Sequence, residues 1–279
     1  MTTILRTISK EELIQNFKEI FAQGWIENKR GNNDGAVGNT LEDLLHIPEN
    51  NLPIPNAAEW ELKAQRSNTT SLLTLFHMEP SPRALKVVNN ILLPKYGWPS
   101  KQAGSRYKED ERSFRATLNT SAFSSRGFKV VVNDSERKVE IMFDSSKVIK
   151  DNTEWLQNIN TLVGNTNDFE IRPYWGFDDL FHKAGTKLIN CFYVRADVKR
   201  ERINSKSKVF FLYDYVLKLS HFDQDRFISA IRNGKVFFDF DARTHHNHGT
   251  KIRIHYNDIP LLYRDAEVVI DNRPKNQQI

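Results

Sequence analysis

The chain has a single cysteine, Cys191, among 279 residues. That excludes an intrachain disulfide framework and a zinc site built from cysteines. Cys191 lies in Leu188-Ile189-Asn190-Cys191-Phe192-Tyr193-Val194, an apolar run that reads as a buried strand, so its thiol reads as a core group. No apolar run approaches the roughly 20 residues that a membrane helix needs. The start, Met1-Thr2-Thr3-Ile4-Leu5-Arg6, lacks the apolar stretch of a secretory signal, and a cytoplasmic protein is expected. Internal repeats and low-complexity tracts are missing too. A strong charge of one sign is also absent: 40 Lys and Arg against 35 Asp and Glu leave +5. So small a surplus is not a basic tail. It fits plain solubility and contact with a polyanion equally well.

What is present is the inventory of a folded protein, with 39% hydrophobic and 11% aromatic residues, enough for one large domain or two lobes. Ser9 and Glu12 have capping-box spacing, and Leu13, Ile14, Phe17, Ile20 and Phe21 recur at helical period behind them. The polar stretch from Asn28 to Gly35 reads as a loop. Asn39 or Thr40 then caps a short helix that turns Leu41, Leu44 and Leu45 inward. Glu42 stands in its first turn, where the helix dipole favours a carboxylate. Pro48, Pro53 and Pro55 punctuate a loop leading to a strand over residues 59–64, and Leu72-Leu73-Thr74-Leu75-Phe76 predicts a second strand pairing with it.

Residues 83–93 look helical. Phe128-Lys129-Val130-Val131-Val132 and Val139-Glu140-Ile141-Met142-Phe143 predict a hairpin turning at Asn133-Asp134-Ser135. Residues 164–168 are the candidate hinge, which divides the chain into lobes at 1–165 and 166–279. Beyond it come a helix over 178–188 and a strand over 190–198. Residues 199–208, with Lys199, Arg200, Arg202, Lys206 and Lys208, read as an exposed loop. A helix over 223–232 ends at Gly234, and strands over 235–240 and 251–256 flank a loop rich in histidine. Helices and strands mix without a regular βαβ rhythm, so the fold class is α+β or mixed α/β.

Two places carry chemistry. In Trp60-Glu61-Leu62-Lys63-Ala64, strand alternation puts Trp60, Leu62 and Ala64 on one face and Glu61 with Lys63 on the other. A carboxylate there can hold a hard divalent cation while the ammonium beside it orients or deprotonates a water, the chemistry of metal-dependent phosphodiester hydrolysis. Taken alone, Glu-x-Lys is more often a solvated surface pair. The second place is Arg243-Thr244-His245-His246-Asn247-His248-Gly249-Thr250. It reads as a surface loop, as a nucleic-acid contact in which histidines beside Arg243, Lys251 and Arg253 reach bases or phosphates, or as zinc ligands. His77, at the end of the second strand, is a polar strand terminus that would sit close to a metal at Glu61.

Gly38-Asn39-Thr40-Leu41-Glu42, Trp60-Glu61-Leu62-Lys63, Leu75-Phe76-His77-Met78-Glu79-Pro80, Tyr96-Gly97-Trp98 and Asn247-His248-Gly249-Thr250 occur in this order. Together they resemble the MvaI/BcnI family of type II restriction endonucleases, relatives of the mismatch-repair nickase MutH, over about residues 38–263. The resemblance implies a PD-(D/E)XK nuclease: a central mixed sheet flanked by helices, with a catalytic lobe (1–165) and a DNA-recognition lobe (166–279). It implies a monomer that nicks the two strands of a short site in double-stranded DNA in turn, with Mg2+ as cofactor and Mn2+ able to replace it. A cognate DNA methyltransferase gene encoded nearby would be a second clue to such an enzyme.

On this sequence the resemblance makes Glu61 a magnesium ligand, Lys63 the water-activating group and Glu42 the residue completing the acidic site. His248 would read a base, with Arg243, His246, Lys251 and His77 as further DNA contacts. One position departs from the pattern: where the family's metal-binding aspartate is expected stands Asn56, after Pro55. Asparagine offers a cation a neutral oxygen without charge, and Glu59, on the strand face of Glu61, is the candidate substitute. The leading expectation is a sequence-specific endonuclease leaving 5′-phosphate and 3′-hydroxyl ends. The alternatives are a DNA-binding protein on the same scaffold that no longer cuts, and a hydrolase with a histidine-bound metal.

Overall fold

The computed structural model describes residues 8–31, 33, 35–47, 59–67, 69–164 and 167–275. It divides into two compact units: residues 1–73, 183–223 and 259–279, and residues 74–182 with 224–258. These units are not contiguous in sequence, unlike the expected lobes at 1–165 and 166–279. The chain passes between units at 73/74, 182/183, 223/224 and 258/259, so the expected hinge at 164–168 lies inside the second unit. There Asp168 is tied down, accepting from the backbone N–H of Phe143 at 3.1 Å and from Arg172 Nε at 2.7 Å.

The first unit is built on a mixed five-stranded sheet. Its strands are β1 (Ile26–Glu27), β2 (Trp60–Arg66), β9 (Asn190–Ile203), β10 (Lys206–Phe222) and β14 (Tyr263–Asp271). They run in the order β1-β10-β9-β2, with β14 also on β10. The β2–β9 pair is parallel, with Glu61 opposite Cys191 and Lys63 opposite Tyr193, and the other pairs are antiparallel. Helices α1 (Lys10–Ala22) and α2 (Ala36–Leu44) supply Leu13, Phe17, Phe21, Val37 and Leu41 to a core closed by Trp60, Leu62, Phe192, Val194 and Phe211 of the sheet. The alternation read in the sequence thus has its cause: Trp60 and Leu62 face α1 and α2, with the Trp60 and Phe192 ring centroids 4.5 Å apart. Glu61 and Lys63 project from the opposite face. The capping box on α1 forms as expected, with Ser9 and Glu12 each accepting the other's backbone N–H.

The second unit holds two sheets. One has β3 (Leu73–His77), β4 (Trp98–Pro99), β5 (Arg112–Leu118), β11 (Val236–Arg243), β12 (His246–Asn247) and β13 (Lys251–Ile254). Its order is β3-β13-β11-β5-β4, with β12 on β11. The other has β6 (Arg126–Asn133), β7 (Lys138–Val148) and β8 (Tyr174–Gly176). The expected hairpin is β6–β7, paired from Phe128↔Phe143 to Asn133↔Lys138. Helices α3 (Leu93–Tyr96), α4 (Thr153–Val163) and α6 (Gln224–Arg232) complete this unit, and α5 (Phe177–Leu188) carries the chain from one unit to the other.

Two expected elements differ. β3 pairs with β13, not with β2, whose partner is β9. Residues 199–208 are not a loop: they continue β9 and begin β10 around a turn at Asn204 and Ser205, both at positive φ. No helix among the described residues is long and apolar enough to cross a membrane.

Candidate active site

Glu61 is 1% exposed although it stands on the face of β2 away from the hydrophobic core. Burial of a carboxylate is costly unless it is paired. Lys63 Nζ donates to its Oε1 at 2.6 Å, and Lys187 Nζ, from the last turn of α5, lies 3.6 Å from the same oxygen. The other oxygen, Oε2, is buried and has no hydrogen-bond partner among the described residues. Two cations thus hold one oxygen and leave its twin with unused lone pairs. Beneath them Cys191, the register neighbour of Glu61, is 1% exposed, and burial pushes its thiol up to about 12. Tyr263, hydrogen-bonded to Cys191, is likewise buried, which raises its hydroxyl well above the ordinary tyrosine value. Cys191 and Tyr263 are thus held in their neutral forms, and the charged groups gathered here are Glu61, Lys63 and Lys187. Sequence reading missed Lys187: it sits in a helix remote in sequence, and nothing in its neighbours marks it.

Glu42 is half-buried on α2, which packs beside β2. The expectation that it occupies a first helical turn is corrected: α2 starts at Ala36 behind Gly35, and Glu42 falls near its end. A carboxylate there runs against the helix dipole, so the local reason for Glu42 disappears. Thr40, expected as a cap, is instead buried inside the helix and donates to Asn28 Oδ1 at 3.3 Å. Glu59 is exposed in the turn just before β2, and Asn56 lies outside the described residues. A buried carboxylate oxygen with no partner among the described residues is the donor that a hard divalent cation takes, so Glu61 Oε2 fits such an ion. Among the described residues no group of three His, Cys, Asp or Glu stands close enough to hold a metal.

In the second unit, two of the quoted motifs prove to be one structure. Glu79 Oε1 accepts from the backbone N–H of Thr250 at 2.8 Å, with Asn247 Nδ2 and Thr250 Oγ1 each at 3.4 Å. The N–H of Met78 donates to Thr250 O at 2.9 Å, and Trp175 Nε1 donates to Met78 O at 3.0 Å. Gly249 has a φ of 82°, and a Cβ there would lie 3.6 Å from His77. His77 therefore belongs beside the histidine loop. It is exposed, as are His246 and His248, whose Nε2 atoms are 3.0 Å apart. His245 turns the chain at a φ of 58°.

The flanking cations are already engaged. Arg243 pairs with buried Glu111 at 3.0 Å and lies 4.5 Å over the Tyr107 ring, while Lys251 pairs with Asp241 at 3.6 Å. The remaining motif, Tyr96-Gly97-Trp98, is structural. Gly97 O accepts from Trp155 Nε1 and Arg112, and a side chain at Gly97 would strike Leu93 O.

No functionally curated protein matches the sequence. Among solved structures, restriction endonuclease MvaI in complex with cognate DNA substrate aligns with a TM-score of 0.74 at 22% identity, covering 95% of this chain and 100% of that one. MvaI in the absence of DNA aligns at 0.52, with the same identity and coverage. At that identity the likeness speaks to the fold alone, which is mixed α+β. The model of the MvaI/BcnI restriction endonuclease family matches residues 14–263, nearly the whole chain. The chain belongs to the MvaI/BcnI restriction endonuclease family and is a type II site-specific deoxyribonuclease.

Proposed function

We propose that this chain hydrolyses phosphodiester bonds in double-stranded DNA at the Glu61–Lys63 site with Mg2+, leaving 5′-phosphate and 3′-hydroxyl ends. The observation carrying this reading is the divided state of the Glu61 carboxylate, with Oε1 held by Lys63 at 2.6 Å and Oε2 buried without a partner among the described residues. Glu61 Oε2, with Glu42 and the Asn56 side chain, would hold the cation. When bound, the cation supplies charge stabilisation for the phosphate and the leaving oxygen. Lys63 Nζ orients the attacking water, whose oxygen forms the new bond to phosphorus as the bond to the 3′ oxygen breaks. A proton then completes the 3′-hydroxyl. Lys187 keeps Glu61 Oε1 occupied and adds positive charge on the side where the phosphate arrives. His248, supported by Asn247 and Glu79, reads a base edge, while His77 and His246 lie beside it as DNA contacts. Arg243 and Lys251 contact the backbone once they leave their present partners.

The chain acts as a monomer in the cytoplasm, nicking one strand and then the other. The test is plasmid DNA incubated with magnesium and then with EDTA, followed by end labelling. Cutting that EDTA stops, at ends that accept label only after phosphatase treatment, is expected; cutting in EDTA would refute the reading. Asn56 favours one rival, a scaffold that binds without cutting. Asn56→Asp separates the two. It should raise the rate at low magnesium in an active enzyme, whereas cutting by the variant alone would mark the natural protein as disabled. Manganese, which binds such sites more strongly, should rescue a weak site, and Glu59→Gln should reduce cutting if Glu59 replaces the missing charge.

A further inference from the structure

The β9–β10 hairpin outruns the sheet that contains it. β2 leaves β9 at Arg66↔Ala196, and on the other edge of β10 the pairing with β1 covers only Phe210 and Phe211. Beyond those levels Asn28 N–H still donates to Val209 O at 2.8 Å, and the register then continues alone from Lys208↔Glu201 to Lys206↔Ile203. The tip is a two-residue turn, with Asn204 at a φ of 49° and Ser205 at 64°. Two positive φ values in a two-residue turn match the twist of the flanking strands and fix the ribbon's end.

Charge is unevenly spent along this arm. At its base Lys199 pairs with Glu201 at 2.8 Å and lies over the Trp25 and Phe210 rings, and Lys208 pairs with Glu27 at 2.8 Å. Arg200, Arg202 and Lys206 at the tip are exposed and have no acidic partner among the described residues. Alternation puts Arg200 and Arg202 on one face of the ribbon, while Lys206, opposite Ile203, is on the other. A two-stranded ribbon without a core of its own gains little from cations that repel one another. Their arrangement, on both faces of a narrow ribbon, suits the phosphates bordering a groove of duplex DNA, which admits such a ribbon. From Cys191, the neighbour of Glu61, to Ile203 the strand spans roughly 40 Å at ~3.3 Å per residue. That is about one turn of B-DNA.

We propose that this arm is a second DNA-binding site, which takes backbone phosphates of the duplex flanking the recognition site, about one helical turn from the bond that is cut. The proposal rests on the nuclease reading. It takes no part in base choice, so its contribution is independent of sequence and steeply dependent on salt.

The test is affinity in EDTA against salt concentration, for the full chain and for the variant Arg200→Gln/Arg202→Gln/Lys206→Gln. Two duplexes carrying the same recognition site are compared, one with flanks of about 4 base pairs and one with flanks of about two helical turns. On the long duplex the variant should lose roughly two to three from the log–log salt slope, at about 0.9 per phosphate contact, and tenfold or more in affinity near physiological salt. On the short duplex the two proteins should bind and cut alike, which also shows that the variant folds. Arg200→Lys/Arg202→Lys, which keeps the charge, should keep the slope. Equal slopes on the long duplex would overturn the proposal and leave the cations as guards against edge pairing. Equal loss on both duplexes would also overturn it, placing the tip within the recognition site. A wild-type chain that binds neither duplex would remove the nuclease reading itself.

Discussion

Among the described residues one oxygen of the Glu61 carboxylate is claimed twice and the other not at all, and single substitutions can separate the roles around it. Glu61→Ala should end metal-dependent cutting and, by removing charge that repels phosphate, tighten binding in EDTA. Lys187→Ala should act differently. With one cation fewer beside Glu61, magnesium should half-saturate at a lower concentration, while the maximal rate falls on the order of 10²-fold. A magnesium titration of single-turnover cleavage reads both, and a variant unchanged in both would make Lys187 a mere neighbour. The Glu61–Lys63 pair was legible because period-two alternation against an apolar core fixes which face it takes. Lys187 was not, since its contact with Glu61 joins α5 to β2 across a long sequence separation. For Glu42, the sequence offered a helix-dipole reason that the true start of α2 at Ala36 takes away.

Elements explain how these side chains are held. Arg30 clamps the loop before α2 to Asp43, donating from Nε at 2.8 Å and from Nη2 at 2.5 Å, and its hydrogen bonds hold the Asp43 carboxyl below the ordinary value. A depressed acid stabilises the fold above its unfolded value and loses that contribution as pH falls through the folded one. Arg30→Ala should therefore return Asp43 to the ordinary carboxylate range in an NMR titration, and an unmoved titration would deny the clamp. In the second unit, Glu79→Ala leaves the buried Thr250 N–H without its acceptor, at a cost of about 1–3 kcal/mol. It should lower the melting temperature and blunt discrimination between cognate and unrelated DNA. His248→Ala should weaken cognate binding by roughly 1–3 kcal/mol with the fold intact. The β6–β7 hairpin and the capped start of α1 were readable because their signals are local. The partner of β3 was not, because long-range pairing with β13 decided it, and the ribbon at 199–208 was not, because its charged strands turn at Asn204-Ser205 without the usual turn glycine.

At the scale of the whole molecule, a chain that crosses four times between two units places each motif where order in the sequence does not. The Glu-x-Lys strand and Glu42 belong to one unit and the histidine loop to the other, although both sequence halves contribute to each. A monomer with one such site should convert supercoiled plasmid to nicked circles before linear product appears, at a rate proportional to protein concentration. Linear product without a nicked intermediate, together with a dimer in sedimentation, would contradict sequential nicking. The most direct test of the central claim is cleavage and binding measured on the same cognate duplex for wild type and Lys63→Ala. The account predicts that the variant binds in EDTA as tightly as wild type and yields no product with magnesium. Loss of binding together with cutting would make Lys63 a support of the fold, and undiminished cutting would place the chemistry elsewhere.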